Sequence, residues 1–256
     1  MVQLTTVSYA IEGPAATVTV RRPDAGNRVN QTLAAELSDV CHDLELQRHV
    51  VVVILTASGD EYFCAGTDQA EAFEDFRDRR QSLPSVASSI AALNMPVVCA
   101  LNGDAIGQGL ELALACDIRL AAEHVQVALP CSAGFLPWDG GTQRLPRLIG
   151  VPQAIEMILT GQMVNAQEAL RMGLLSRLVP RNELMTSANE LAHTIATKAP
   201  WAARFAKEAV RAGLDVTLDQ GLRLEANLYF LLQTTQDRTE GIRAFQRKRP
   251  PRFVGD

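Results

Sequence analysis

The stretch from 102 to 118, NGDAIGQGLELALACDI, places glycines 103, 107 and 109 ahead of a strongly helix-forming run. The one charge in that run is Glu111, with Leu110 before it and Leu112 after it. A carboxyl among apolar neighbours is pushed towards neutrality, which suits a general acid or base near pH 7. The plainer use of an acid early in a helix is to complement the macrodipole. The first helical N–H groups have no intrahelical partner, so a glycine-rich helix start can receive an anion or a developing oxyanion. No Gly-x-Gly-x-x-Gly and no Lys-Ser/Thr of a phosphate-binding loop follows, so the nucleotide motifs fail. A second glycine-bearing loop, FCAGTD (63 to 68), also follows an apolar run. It could be a turn with Asp68 as helix cap. Two such loops at neighbouring strand ends could also each aim one N–H at a common point, as an oxyanion hole requires.

The surrounding elements must bring those loops together. AATVTVRRP alternates and reads as a strand ending at Pro23. Leu33, Leu37, Val40 and Leu44 mark one face of an amphipathic helix over 31 to 47. VVVVILTA (50 to 57) and MPVVCALNG (95 to 103) are continuous apolar runs, as expected of strands buried on both faces. A helical pattern over 84 to 93 lies between them, and DIRLAA and VQVALP follow the Glu111 helix as short strands. This alternation predicts an α/β fold of parallel strands joined by helical crossovers. After GFLPWDGGTQRLPRLIG the chain reads as almost wholly helical, which divides it into a core over 1–197 and a helical region over 198–256.

Composition limits the partners. Twenty-four basic and 29 acidic residues leave a net charge of -5, so no basic field is available for nucleic acid. The N-terminus has no signal-peptide pattern, and no apolar run approaches a membrane span of ~20 residues. Five scattered cysteines without a Cys-x-x-Cys read as reduced thiols of a cytoplasmic protein, not as disulfides or metal ligands. The four histidines show no ligand spacing.

Six segments carry a resemblance: RRPDAGNRVN, FCAGTD, MPVVCALNGDAIGQGLELALACDIR, GFLPWDGGTQRLPRLIG, EMILTGQMVNAQEALRMGLLSRLVP and RTEGIRAFQRKRPPRF. In this order and spacing, the chain resembles the crotonase (enoyl-CoA hydratase/isomerase) superfamily over its whole length. The resemblance implies a crotonase-like spiral of ββα units with a C-terminal helical trimerisation region, assembling as a homotrimer or hexamer. It implies acyl-CoA thioester chemistry through an enolate held by two main-chain N–H groups, which by position are those of Ala65 and Gln108. Glycine usually stands where this chain has Gln108. Coenzyme A enters only as part of the substrate, with no metal or redox cofactor.

By the same resemblance, Glu111 matches the first of the two glutamates that hydratases use. The second is missing: Pro130 or Cys131 takes its place. Asp139 is the candidate replacement, with the alternative that it caps the helix that follows it. The thioester is expected against Phe63, Ala65, Gly66, Thr67, Asp68, Gly107 and Trp138, with Arg28 and Lys248 reaching phosphates. The expected activity is reversible addition of water to a 2-enoyl-CoA. The alternatives are a one-carboxylate enoyl-CoA isomerase and a CoA-ester-binding homologue of low activity.

Overall fold

The computed structural model describes residues 4–68, 84–131 and 135–256. Two sheets organise the core. The larger has six strands in the order β1-β2-β3-β5-β7-β10, formed by Val7–Glu12, Ala15–Val20, Val52–Ala57, Val97–Leu101, Ile118–Ala122 and Arg177–Val179. The smaller has the order β4-β6-β8-β9, formed by Tyr62–Cys64, Asp104–Ile106, Gln126–Ala128 and Val164–Asn165. Each turn of the chain gives one strand to each sheet: β3 then β4, β5 then β6, β7 then β8. A helix follows each pair, and this is the repeated ββα unit.

All pairs from β2 to β10 in the larger sheet are parallel; β1 and β2 form an antiparallel hairpin. The apolar runs behave as their composition requires, since every residue of β3 and β5 is buried. Helix α1 (Gln31–Leu46) lays Leu33, Leu37, Val40 and Leu44 on the core and is capped by the Asn30 side chain. The helix read over 84 to 93 begins later, as α2 (Ala87–Ala92). Helix α3 (Gln108–Ala115) is buried at every position, so its sequence reads as apolar all round rather than amphipathic. Helices α4 (Gly141–Ile149), α5 (Val151–Thr160), α6 (Ala166–Arg171) and α7 (Leu184–Ala196) complete the core side, with the short β9 and β10 between them. Those two short strands lie in a stretch expected to be almost wholly helical, and β1 was also not anticipated.

The C-terminal helices are α8 (Pro200–Gly213), α9 (Leu218–Gln233) and α10 (Gln236–Gln246). Helix α8 is fastened to the core by charge. Lys207 Nζ lies 2.8 Å from Asp117 Oδ2 and donates to the Met95 carbonyl, and Arg211 donates to the Ala91 and Ala115 carbonyls and meets Asp117 Oδ1 at 2.9 Å. These carbonyls lie at the C-terminal ends of α2 and α3 and in the turn before β5, so cations sit where helix dipoles favour them. Both ends of the Glu111 helix are thereby set: the start by the loop after β6, the end by α8.

Candidate active site

Helix α3 starts at Gly107, whose φ of 54° is a left-handed conformation open to glycine at little cost. A Cβ there would lie 4.0 Å from Gly66 Cα, and Gly66 has a φ of 100°. The two glycines therefore bring the loop after β4 against the loop after β6, whose strands pair in parallel. The N–H groups on these loops are not equivalent. Ala65 N–H donates to the Gly26 carbonyl at 2.9 Å, and Gly107 N–H donates to the Ala128 carbonyl at 2.8 Å. Val29 and Asp68 bracket Thr67 through Val29 N–H to Gly66 O and Asp68 N–H to Val29 O. Among the described residues, the Thr67 and Gln108 N–H groups have no partner, and they flank the meeting point of Gly66 and Gly107. This corrects Ala65 as a donor: its N–H is engaged in holding the 22–28 loop, and among the described residues the N–H groups without a partner are those of Gly66 and Thr67, which follow it.

Glu111 lies one turn into α3 and is 2% exposed. Its Oε1 accepts from the main-chain N–H of Asp139 at 2.9 Å and of Gly141 at 2.8 Å. Its Oε2 accepts no hydrogen bond among the described residues. Burial raises the Glu111 carboxyl to about 7; the Gly141 N–H opposes the rise, the Asp139 charge adds to it, and the Asp139 N–H and Arg144 oppose it. Gly141 is required for this contact, since a Cβ there would come within 2.9 Å of Glu111 Cγ and Oε1 and 2.7 Å of Leu129 Cδ2.

Asp139 is also buried, but both its oxygens are occupied. Oδ1 accepts from Ser85 Oγ at 2.6 Å; Oδ2 accepts from the N–H groups of Val86 and Ala87 at 2.9 and 3.1 Å and from Gln108 Nε2 at 3.1 Å. It does not cap its own helix, whose N-cap is Gly140 with no side-chain bond. It occupies the start of α2 instead, while its carbonyl accepts from Arg144. The Gln108 carboxamide is equally committed: Oε1 accepts from Thr67 Oγ1 at 2.9 Å, and Nε2 also donates to the Pro84 carbonyl.

The other expected contacts separate. Phe63 is fully buried in the core, so its side chain packs inward and cannot line an open site. Asp68 is paired with Arg22 at 3.0 Å, and Arg22 also donates to the Arg28 carbonyl. Arg28 is exposed and close to the Ala25 carbonyl. Asn27, in a left-handed conformation, ties this loop to the core through Arg22 N–H and the Ser58 and Tyr62 carbonyls. Trp138 is partly exposed beside Phe135 and Leu136. Lys248 is exposed just beyond α10, its N–H donating to the Phe245 carbonyl. Cys131 N–H donates to the Ile158 carbonyl. Ser85 and Pro84 complete the site and carried no sequence signal. Among the described residues no cluster of His, Cys, Asp and Glu could hold a metal ion, and no helix is long and apolar enough to cross a membrane.

Two sheets wound from repeated ββα units, with free N–H groups beside a buried carboxylate, define an enzyme of the crotonase fold. The enoyl-CoA hydratase/isomerase family model matches residues 11–256, and the chain belongs to that family. It is 36% identical over 252 residues to a short-chain-enoyl-CoA hydratase of Clostridium acetobutylicum, covering 96% of this chain and 97% of that one. It is 37% identical to a 2,3-dehydroadipyl-CoA hydratase of Escherichia coli, covering 93% and 94%. The crystal structure of an enoyl-CoA hydratase from Bacillus anthracis superposes with a TM-score of 0.91 at 37% identity, covering 98% and 100%.

Proposed function

We propose that this chain adds water reversibly to the double bond of a 2-enoyl-CoA thioester. The observation that carries the proposal is the state of Glu111: one oxygen fixed by two N–H groups, the other without a partner among the described residues, and a carboxyl raised to about 7. The thioester oxygen would lie between the Thr67 and Gln108 N–H groups, which stabilise the enolate as charge develops. Glu111 Oε2 takes a proton from water as its oxygen bonds to Cβ. The same carboxyl then returns that proton to Cα, so one water is added and the base is regenerated. Asp139, with both oxygens accepting, serves this reading as an anchor rather than as the second acid.

That occupancy of Asp139 also supports a second reading, double-bond isomerisation, in which Glu111 alone moves a proton along the chain and no water adds. A panel of acyl-CoA thioesters followed by mass spectrometry in heavy water separates the two. Hydration gains one water, isomerisation gives a double-bond isomer with no water gained, resolved by chromatography ahead of the mass spectrometer, and neither change with any thioester would reject both.

We also propose self-association into a homotrimer or hexamer. It is supported by large exposed apolar side chains on α9, including Leu222, Tyr229 and Phe230, with Ile155 and Leu159 on α5. Patches of this kind mark interaction surfaces. A monomer by light scattering would reject it.

A further inference from the structure

The side chain at the first position of α3 does more than accompany its own N–H. Gln108 is 3% exposed, and both ends of its carboxamide are bonded to other segments. Oε1 accepts from Thr67 on the loop after β4, and Nε2 donates to the Pro84 carbonyl ahead of α2 and to Asp139 Oδ2 on the loop before α4. Asp139 in turn presents its own N–H to Glu111 Oε1. One carboxamide thus joins the two loops that bear the free N–H groups to the residue that orients the carboxylate.

We infer that Gln108 is a positioning residue, which pins the Asp139 carboxylate at the start of α2 so that the Asp139 N–H holds Glu111 Oε1 and leaves Oε2 towards the reacting proton. The inference rests on the proposed role of Glu111. The chemistry of the pin is specific. Asp139 Oδ2 accepts from three donors, two of them main-chain N–H groups that any side chain at 108 would leave in place. The third comes only from a side-chain amide of this length. A buried carboxylate that loses a donor is costly to leave so, and the loop carrying it shifts to recover one. Because the same residue bears the N–H on Glu111, that shift is transmitted over a single residue. A glycine at this position would leave the Thr67 hydroxyl, the Pro84 carbonyl and Asp139 without this common partner.

The test compares Gln108→Met, Asp139→Ala, the double variant and Glu111→Gln as full-length proteins on a hydrated enoyl-CoA. Met keeps the length and the Gln108 N–H but removes all three carboxamide hydrogen bonds. We expect kcat for Gln108→Met to fall about 10-fold, the worth of a buried hydrogen bond to a charged group. KM should change less than about threefold, since the main-chain donors to the thioester remain. The acid limb of the kcat profile should move to higher pH, because a loosened Asp139 N–H no longer favours ionised Glu111. The charged groups facing Glu111 among the described residues, Asp139 and Arg144, are unchanged in this variant. In the Asp139→Ala background the Met substitution should cost less than about twofold more, as coupled neighbours are not additive. Additive losses, or an unmoved pH limb with kcat within about twofold of wild type, would overturn the inference; a purely structural role predicts that second pattern with a lowered Tm. If Met disturbs the fold, Gln108→Glu keeps the shape and the Thr67 contact but turns an acceptor on Asp139, and a smaller kcat loss than a few-fold would be equally contrary. Full turnover in Glu111→Gln would sink the proposed function instead, and the same cycle read by thermal unfolding would still decide whether Gln108 and Asp139 are coupled.

Discussion

Among the described residues two glutamates are buried, and they are held in opposite ways. Glu36, on α1, is 6% exposed and Glu111, on α3, is 2% exposed. Glu36 accepts five hydrogen bonds: Thr5 N–H and Oγ1 on one oxygen, and Thr6 N–H, Thr6 Oγ1 and Val7 N–H on the other. Burial pushes its carboxyl up, but the donors of Thr5 and Thr6 outweigh burial and hold it at about 2. Glu111 has two donors, both on one oxygen, and burial prevails, at about 7. Burial alone therefore does not make a proton carrier. The count and placement of donors decide whether a buried carboxylate is a fixed anion that ties β1 to α1 or a group that can exchange a proton. Asp139 resembles Glu36 in geometry alone, since four donors occupy its two oxygens.

The sharpest way to break the contrast is Glu111→Gln. The amide keeps the shape and the bonds to Oε1 but cannot carry a proton. Turnover should fall by about 10²–10⁴-fold while binding of a CoA thioester, read by its thermal shift, persists. Activity within a few-fold of wild type would make Glu111 structural. Gly141→Ala should come next, at about 10²-fold in kcat, because its Cβ displaces the carboxylate rather than removing it.

Glu36→Gln should leave turnover per folded molecule unchanged and lower stability by about 2 kcal/mol, measured by urea unfolding at neutral pH. The pH dependence follows from a folded pKa below the unfolded one. The Glu36 contribution is complete above the unfolded value of about 4.3 and is lost as pH falls through the folded value. The gap between wild type and variant should therefore close in acid; a gap constant down to the acid transition would mean that the charge contributes nothing. Asp139→Asn should have the smallest effect. Asparagine can accept from Val86, Ala87 and Gln108 through one oxygen and leaves the main-chain N–H on Glu111, so kcat should drop no more than about fivefold. A loss as large as that of Glu111→Gln would promote Asp139 to the second acid.

The parts legible in the sequence are those written within one segment. Glu111 stands out as the lone charge of its helix, Gly107 announces the helix start, and the uninterrupted apolar runs of β3 and β5 declare their burial. What could not be read depends on direction or on contact between distant segments. FCAGTD offers several N–H groups, and only the contacts with the 22–29 segment decide that the Ala65 N–H faces that loop while the Thr67 N–H has no partner among the described residues. Ser85 meets Asp139 across 54 residues, and Thr67 meets Gln108 across 41, with no local pattern to signal either. β9 and β10 have two and three residues, too few to show a period. Phe63 looks like part of a ligand motif because it adjoins one, yet strand alternation turns its ring into the core.

Burial raises the Glu111 carboxyl because few donors oppose it, whereas the donors around Glu36 overcome burial, and an NMR titration of the glutamate side-chain carboxyls in the folded protein tests that contrast directly. The account predicts that the Glu111 resonance titrates with a midpoint near 7, while Glu36 stays ionised down to the acid transition, in keeping with a carboxyl held at about 2. A Glu111 midpoint in the ordinary carboxylate range, or a Glu36 midpoint raised alongside it, would contradict the account.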